Sequence, residues 1–451
     1  VSLDAFHATL AATRERVHTH TRPIPLDALD DWRTDPDTGA LRHRSGRFFS
    51  IEGVRVRLGD RDWQQPIIVQ PEVGILGLLA QRTGGVRRFL VQLKPEPGNR
   101  NGVQISPTVQ ATRSNYTGVH LGSAVPYLSY FRDAARHRVL LDVRQSEHAS
   151  CFLGKRNRNM VVETTDDIAV RPGFCWLTRA ELDALLGEDD LVNMDTRSVL
   201  ACLPDENPVT DRPAHPLPEL LRWITDVRSL TEVTVERRPL HGLAGWRRDR
   251  DRISHDEGRL FDVIGVQVEA AGREVARWSQ PMLAPRGPGL VGLLVTRVEG
   301  TPHALVRLRA EPGCADVAEL APTVQHAIGD PVEPSPLLDE VLGAAPDTVL
   351  FDAMLSDEGG RFHHSSNRHL IVETPDARPE PPGFRWLSLG QLTELLRHSF
   401  YVNMHTRSLL ACLRAVEAGR GGLAGVGAAT GVGAATATGA GAGAVSGGAA
   451  V

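Results

Sequence analysis

Residues 102–118, GVQISPTVQATRSNYTG, crowd Gln104, Ser106, Thr108, Gln110, Thr112, Arg113, Ser114, Asn115 and Tyr116 into one short polar stretch. Alternation along an extended chain from Gln104 to Thr112 puts several of these groups on one face, a row of donors and acceptors suited to a polar ligand. A surface turn has the same composition. What favours a ligand is the second half of the chain, where Pro-Thr-Val-Gln returns with Thr323 and Gln325 while TRSNY gives way to AIGDP. One copy keeps a contact that the other has lost. A second cluster, GKRNRNMVVE at residues 154–163, sets Lys155, Arg156, Arg158 and Asn159 beside a strand. Cationic and amide donors suit the oxygens of a pyrophosphate, although an edge strand guarded by charges looks the same. Its counterpart SSNRHLIVE keeps only Asn367 and Arg368. Trp63 and Trp278 each precede Gln-Pro. A core tryptophan is the default there, and a half-exposed indole is a platform for a nucleobase.

Other chemistries leave no mark. There is no GxGxxG after a strand, no P-loop, no HExxH and no GxSxG. His363 and His364 are adjacent, so on a strand they point apart and do not share a metal. The net charge of -5, without a basic block, offers no footprint for a nucleic-acid polymer. Five scattered cysteines without a CxxC pair argue against paired disulfides and structural zinc, and suit a reducing cytoplasm. No signal peptide or membrane-spanning run is visible.

The elements that must position these residues are legible from their periodicity. GRFFSIEGVRVRLG alternates as a half-buried strand, and VGILGLLAQRTGGVRRFLVQLKPEPG reads as two strands joined at Gly84-Gly85. VLLDVRQSE and NMVVETTD are two more. Thr178 followed by Glu181 is a capping box opening a helix. Then comes VNMDTRSVLACL, residues 192–203, whose near-copy VNMHTRSLLACL occupies residues 402–413. Asn193 is the expected cap of a short helix that turns Val199, Leu200 and Leu203 inward.

The twin strings end a long series of correspondences. FFSIEGV answers LFDVIGV, KPEPG answers RAEPG, NRNMVVETTD answers NRHLIVETPD and PGFCWL answers PGFRWL. The offset falls from 215 at Trp63 and Trp278 to 210 at Asn157 and Asn367, so a whole domain was duplicated. The predicted repeats are residues 1–205 and 221–413, joined by a proline-rich linker at 206–220. The Gly/Ala-rich tail at 414–451 has too little to bury to repay its ordering and is expected to be disordered and dispensable.

FFSIEGVRV, EPGNRNGVQISPTVQATRSNYTG, KRNRNMVVE and NMDTRS, doubled over about residues 26–413, resemble the NDP-hexose 2,3-dehydratase family of deoxysugar biosynthesis. The resemblance implies an α+β fold of two tandem Nudix-like α/β/α sandwich domains with mixed sheets, each holding a nucleotide-sugar pocket, one of them catalytic. It implies a cytoplasmic homodimer acting on dTDP-4-keto-6-deoxy-D-glucose without a redox cofactor. The product, a 3,4-diketo-2,6-dideoxyhexose nucleotide, passes to a separate ketoreductase. The Nudix metal box is in neither half, which disfavours the alternative of a Nudix-type hydrolase. A nucleotide-sugar-binding protein without turnover is the other alternative.

For that reaction the resemblance asks for a base, an acid and donors to a ketone oxygen. Glu147 and His148, which end VLLDVRQSEH and align with Asp357 and Glu358, are candidate catalytic groups, as is Tyr116. The expected substrate contacts of the first half are Trp63, Thr112, Arg113, Ser114, Asn115, Tyr116, Lys155 and Arg158. Those of the second are Trp278, Thr323, Gln325 and Arg368, with no metal ligand. Diphosphate recognition is expected to rest chiefly on Arg113, Asn115, Tyr116 and Arg158, with Arg368 mattering less.

Overall fold

The computed structural model describes residues 2–112, 125–206, 211–271, 275–332, 334–375 and 377–427. The predicted contacts Arg113, Ser114, Asn115 and Tyr116 lie outside them. The fold is mixed α+β, and each repeat is built around a seven-stranded mixed sheet. In the first repeat, Gly84 and Gly85 turn at φ 59° and 82° and join strands Gly74–Thr83 and Val86–Pro95 as expected. Glycine fits there because a left-handed turn costs it nothing. Strand Arg156–Glu163 runs parallel to Gly74–Thr83 and antiparallel to Arg138–Ser146, which makes the sheet mixed. In the second repeat Ser366–Glu373 lies in the same way between Leu290–Val298 and Val349–Ser356.

The alternation of side chains divides each sheet into two apolar faces. Leu76, Leu78 and Ala80 face one core, and Ile75 and Leu79 face another that is closed by Leu128 and Phe131. The first core takes in the predicted helix Arg179–Leu185, capped by the Thr178/Glu181 box, and helix Met194–Cys202. It does not stop at the repeat boundary. Leu293, Leu355, Leu392 and Leu410 of the second repeat belong to the same cluster.

Two smaller five-stranded sheets exchange strands. His18–Ile24 of the first repeat pairs with Phe261–Ala271 of the second, and Val233–Arg238 of the second pairs with Ser50–Leu58 of the first. The repeats that are sequential in the chain are therefore interwoven in space. Between them, helix Leu217–Leu230 already begins inside the stretch read as linker. At the other end the helix that opens at Met404 does not stop at Leu413 but runs to Gly427. Arg414, predicted to begin a disordered tail, is buried and donates to Ala201 O at 2.9 Å and Leu203 O at 2.7 Å. His363 and His364 also depart from expectation. They lie in a turn with His364 at φ 53°, and their rings stack at 4.0 Å rather than pointing apart.

Candidate active site

The twin strings meet where the repeats meet. Asn193 caps its helix by accepting from Thr196 N at 2.9 Å, and Asn403 does the same for Thr406. One turn on, Arg197 donates to Ser408 Oγ at 3.0 Å and to Ser356 O at 2.7 Å, both in the second repeat. Arg407 donates to Ser198 Oγ at 2.9 Å and to Ser146 O in the first. Both guanidiniums are almost fully buried. Such donors are tolerated inside because their N–H groups go to buried hydroxyl and carbonyl oxygens. The shared sequence thus builds a reciprocal clasp. Asp195 and His405, where the strings differ in chemistry, face two different sites.

A second reciprocal contact assembles those sites. Gly98 N of the EPG loop donates to Gly359 O at 2.7 Å, and Gly313 N donates to Ala149 O at 2.7 Å. A Cβ at Gly98 would stand 1.7 Å from Phe362 O, and one at Gly313 would stand 1.7 Å from Phe152 O. Only glycine allows this approach. Each EPG loop therefore docks on the turn that follows an edge strand of the opposite repeat's seven-stranded sheet, Arg138–Ser146 or Val349–Ser356. Neighbours in an extended chain point opposite ways, so each turn serves both sites. Glu147 stays in its own repeat, held by Asn157 Nδ2 at 2.6 Å, whereas His148 reaches across to Asp357 at 3.2 Å.

The first-repeat site gathers Lys94, Glu96, Gln110, Glu147, Lys155 and Asp195, with Glu358 and Arg361 from the second repeat. Lys94 Nζ lies 3.0 Å from Glu96 Oε1 and 3.2 Å from Gln110 Oε1. Arg361 stacks 4.1 Å over the Phe49 ring and reaches Gln70 Oε1 at 3.3 Å. Burial, reinforced by Glu147, Glu358 and Glu96, holds the Asp195 carboxyl well above the usual range. Burial and Glu96 likewise push Glu358 up to about 7. Burial lowers the Lys155 ammonium to about 8. Among the described residues, Asp195 Oδ1, Glu147 Oε1 and Glu358 Oε2 are buried with no hydrogen-bond partner.

The second-repeat site has the same frame and different groups. Arg309 lies 3.1 Å from Glu311, Gln325 donates to Glu311 at 2.7 Å, and Asn367 donates to Asp357 at 3.0 Å. These bonds match those of Lys94, Glu96, Gln110, Glu147 and Asn157. A cleft opens here, walled by Trp63, Leu290 and Phe362. His148 and His405 lie with ring centres 4.9 Å apart. Burial opposes protonation of His148, but Asp357 outweighs it and raises its pKa, while burial and His148 hold His405 well below the usual value.

The predicted residues are thus divided. Glu147 and Lys155 join the first-repeat site, whereas Trp63, His148 and Gln325 line the second. Glu147 and His148, both candidate catalytic groups, face different sites. Arg158 donates through Nε and Nη2 to Asp142 at 2.6 and 2.5 Å on the surface, and Arg368 pairs with Asp352 in the same way. The expected difference between these two arginines has no counterpart in their surroundings. Thr323 is fully buried, accepting from Leu294 N at 2.9 Å and donating to Leu305 O at 2.5 Å, which pins strands rather than a ligand. Trp278 is half-buried, with its indole on Gln280 at 3.0 Å, and Thr112 follows the strand Val109–Ala111. The sequence reading missed Asp195, His405, Lys94, Glu96 and Arg361. The first two are the one non-conservative difference between the twin strings, a signal available from the start.

A family model described as NDP-hexose 2,3-dehydratase matches residues 3–203 and again residues 217–413. The chain belongs to this family. Three relatives, each named dTDP-4-dehydro-6-deoxy-alpha-D-glucopyranose 2,3-dehydratase, agree along nearly the whole length. The one from Streptomyces violaceoruber is 48% identical over 91% of this chain and 97% of its own. Those from Amycolatopsis orientalis and Saccharopolyspora spinosa are 45% and 44% identical, each over 92% of this chain and 91% of their own. For a member of a dehydratase family, the pairing of buried acids with buried cations in the first-repeat site is chemically apt. It offers both a proton donor and positive charge for an oxyanion.

Proposed function

We propose that this chain performs the reaction in its relatives' names, removing water across carbons 2 and 3 of dTDP-4-dehydro-6-deoxyglucose, and does so in the first-repeat site. The enzyme is a hydro-lyase. The observation that carries the choice of site is Asp195, a carboxyl buried beside Glu147, Glu358 and Glu96, where burial and these acids raise its proton affinity well above the usual carboxylate range, as a proton donor requires. The C4 ketone acidifies the hydrogen on carbon 3, so a carboxylate can remove it. The electron pair then forms an enolate whose oxygen is stabilised by Lys94 or Arg361. As the ketone re-forms, the pair moves to C2–C3 and the C2–O bond breaks. Asp195 gives its proton to the departing hydroxide, which leaves as water. The resulting C3 enol tautomerises to the 3,4-diketone, and its hydroxyl proton restores Asp195.

Incubation with the 4-keto sugar nucleotide, NADPH and a 3-ketoreductase tests this. Asp195→Asn should lower kcat by about 10²–10⁴-fold, the range of one acid-base group. His405→Asn, in the second-repeat site, should leave the rate within a few-fold of the parent. The reverse result would move the chemistry to the second-repeat site.

Finer readings accompany this one. The layering of helices on both faces of each seven-stranded sheet supports a Nudix-like α/β/α sandwich per repeat. A homodimer in the cytoplasm, with a ketoreductase consuming the reactive diketone, fits the family. No helix among the described residues is long and apolar enough to cross a membrane.

A further inference from the structure

We infer that the first-repeat site is completed by the second repeat, and that Glu358, delivered by the turn after strand Val349–Ser356, is the base that removes the carbon 3 proton. The inference rests on the first-repeat site being the catalytic one. Its geometry comes from the docked turn. A Cβ at Gly359 would stand 3.0 Å from the Glu96 side chain and 2.1 Å from Asn99 Oδ1, so the backbone beside Glu358 lies directly on the first repeat. Gln280 Nε2 holds Gly360 O at 2.6 Å, and Arg361 is fixed by Gln70 and Phe49. The reciprocal arrangement fixes where Glu358 points. Its counterpart His148 leaves its own repeat and touches Asp357, so Glu358 by the same relation faces Glu147. One of its oxygens accepts from Gly360 N at 3.0 Å, and the other is buried with no partner among the described residues.

The other carboxylates are less suited. Glu96 is bound by Lys94 and Gln110 at 3.0 and 3.2 Å. Glu147 keeps one open oxygen, as Glu358 does, but it belongs to the frame common to both sites, held by Asn157 at 2.6 Å as Asp357 is by Asn367 at 3.0 Å. Glu358 has a free lone pair, and its proton affinity, raised to about 7, matches a base working near neutrality. The proton balance closes on two groups. Glu358 takes the proton from carbon 3 and returns it to carbon 2 during tautomerisation, while Asp195 gives its proton to the hydroxide and regains one from the enol. The second repeat is then retained because it carries a group the reaction needs.

The test separates proton removal from loss of water. With dTDP-4-keto-6-deoxyglucose in D2O, exchange at carbon 3 is followed by mass spectrometry alongside turnover. Asp195→Asn should keep exchange and lose elimination. Glu358→Gln should lose both, with turnover down at least about 100-fold and KM within a few-fold. Glu358→Asp, which keeps the carboxylate, should recover measurable exchange, so a variant that merely misfolds is recognised. Exchange at the parental rate in Glu358→Gln would overturn the role of Glu358 and leave the choice of site standing. Normal turnover in both Asp195→Asn and Glu358→Gln would remove the site as well.

Discussion

Asp195 and His405 occupy the same position on equivalent helices, yet burial among carboxylates raises the proton affinity of the first, while burial beside His148 lowers that of the second. The frame, Asn157 or Asn367 behind and Lys94 or Arg309 alongside, is the same in both sites, so the different chemistry comes from a handful of side chains. The His148–Asp357 pair offers a check on this. His148 is raised above its ordinary 6.5 and Asp357 is lowered below its ordinary 3.8. The aspartate's contribution to stability is present above pH 3.8 and is lost only in strong acid. The histidine's is complete below pH 6.5 and is lost as pH rises through its folded value. His405 and His369, both lowered, push total stability the other way, so the difference between variants is the informative quantity. Parent and His148→Gln should differ most in unfolding free energy near pH 6 and converge toward pH 9, by at most about 1.4 kcal/mol per pH unit. Denaturant titrations at both ends would show it, and a constant gap would mean that His148 is uncharged.

At the scale of elements, what could be read from sequence was whatever depends on near neighbours. The Gly84-Gly85 hairpin, the Thr178/Glu181 box and the Asn193 cap are local devices and all three form. Which sheet a strand joins depends on partners hundreds of residues away, so neither the strand exchange nor the docking of EPG on the opposite repeat was visible. The EPG motif was legible as a repeat but not as a contact. Its meaning can be tested with Gly98→Ala. Relieving a 1.7 Å approach to Phe362 O requires the turn carrying Glu358 and Arg361 to move. Overpacking of this kind costs about 1–3 kcal/mol or more, and activity should fall at least about tenfold. Gly84→Ala is the control. At φ 59°, with nothing within 4 Å of its would-be Cβ, it should cost about 1–2 kcal/mol of backbone strain and leave kcat unchanged. Equal kinetics for the two variants would mean that the docked turn does not position the site.

The molecule as a whole is held by pieces that sequence order assigns to the wrong place. Strand His18–Ile24 completes a sheet of the second repeat, and Val233–Arg238 one of the first. The last helix belongs to this weave rather than to a tail. Composition after Leu413 is poor in large side chains, which hid the fact that one of the few, Arg414, is buried. Its guanidinium satisfies Ala201 O and Leu203 O at the end of helix Met194–Cys202 and donates to Thr393 Oγ1 at 2.5 Å. Further along, Arg420 holds Glu373 through two bonds of 2.8 Å. A chain ending at Leu413 would leave the carbonyls of Ala201 and Leu203 without this donor at the joint between repeats, each lost bond costing about 1–3 kcal/mol. Its thermal midpoint should drop by several degrees relative to the full chain. A chain ending at Gly427 keeps all of these contacts and should match the full chain in both midpoint and turnover. Calorimetry of the two truncations decides the matter. If the chain ending at Leu413 melted with the parent, Arg414 would not be holding the joint, and the weave would end where the repeat ends.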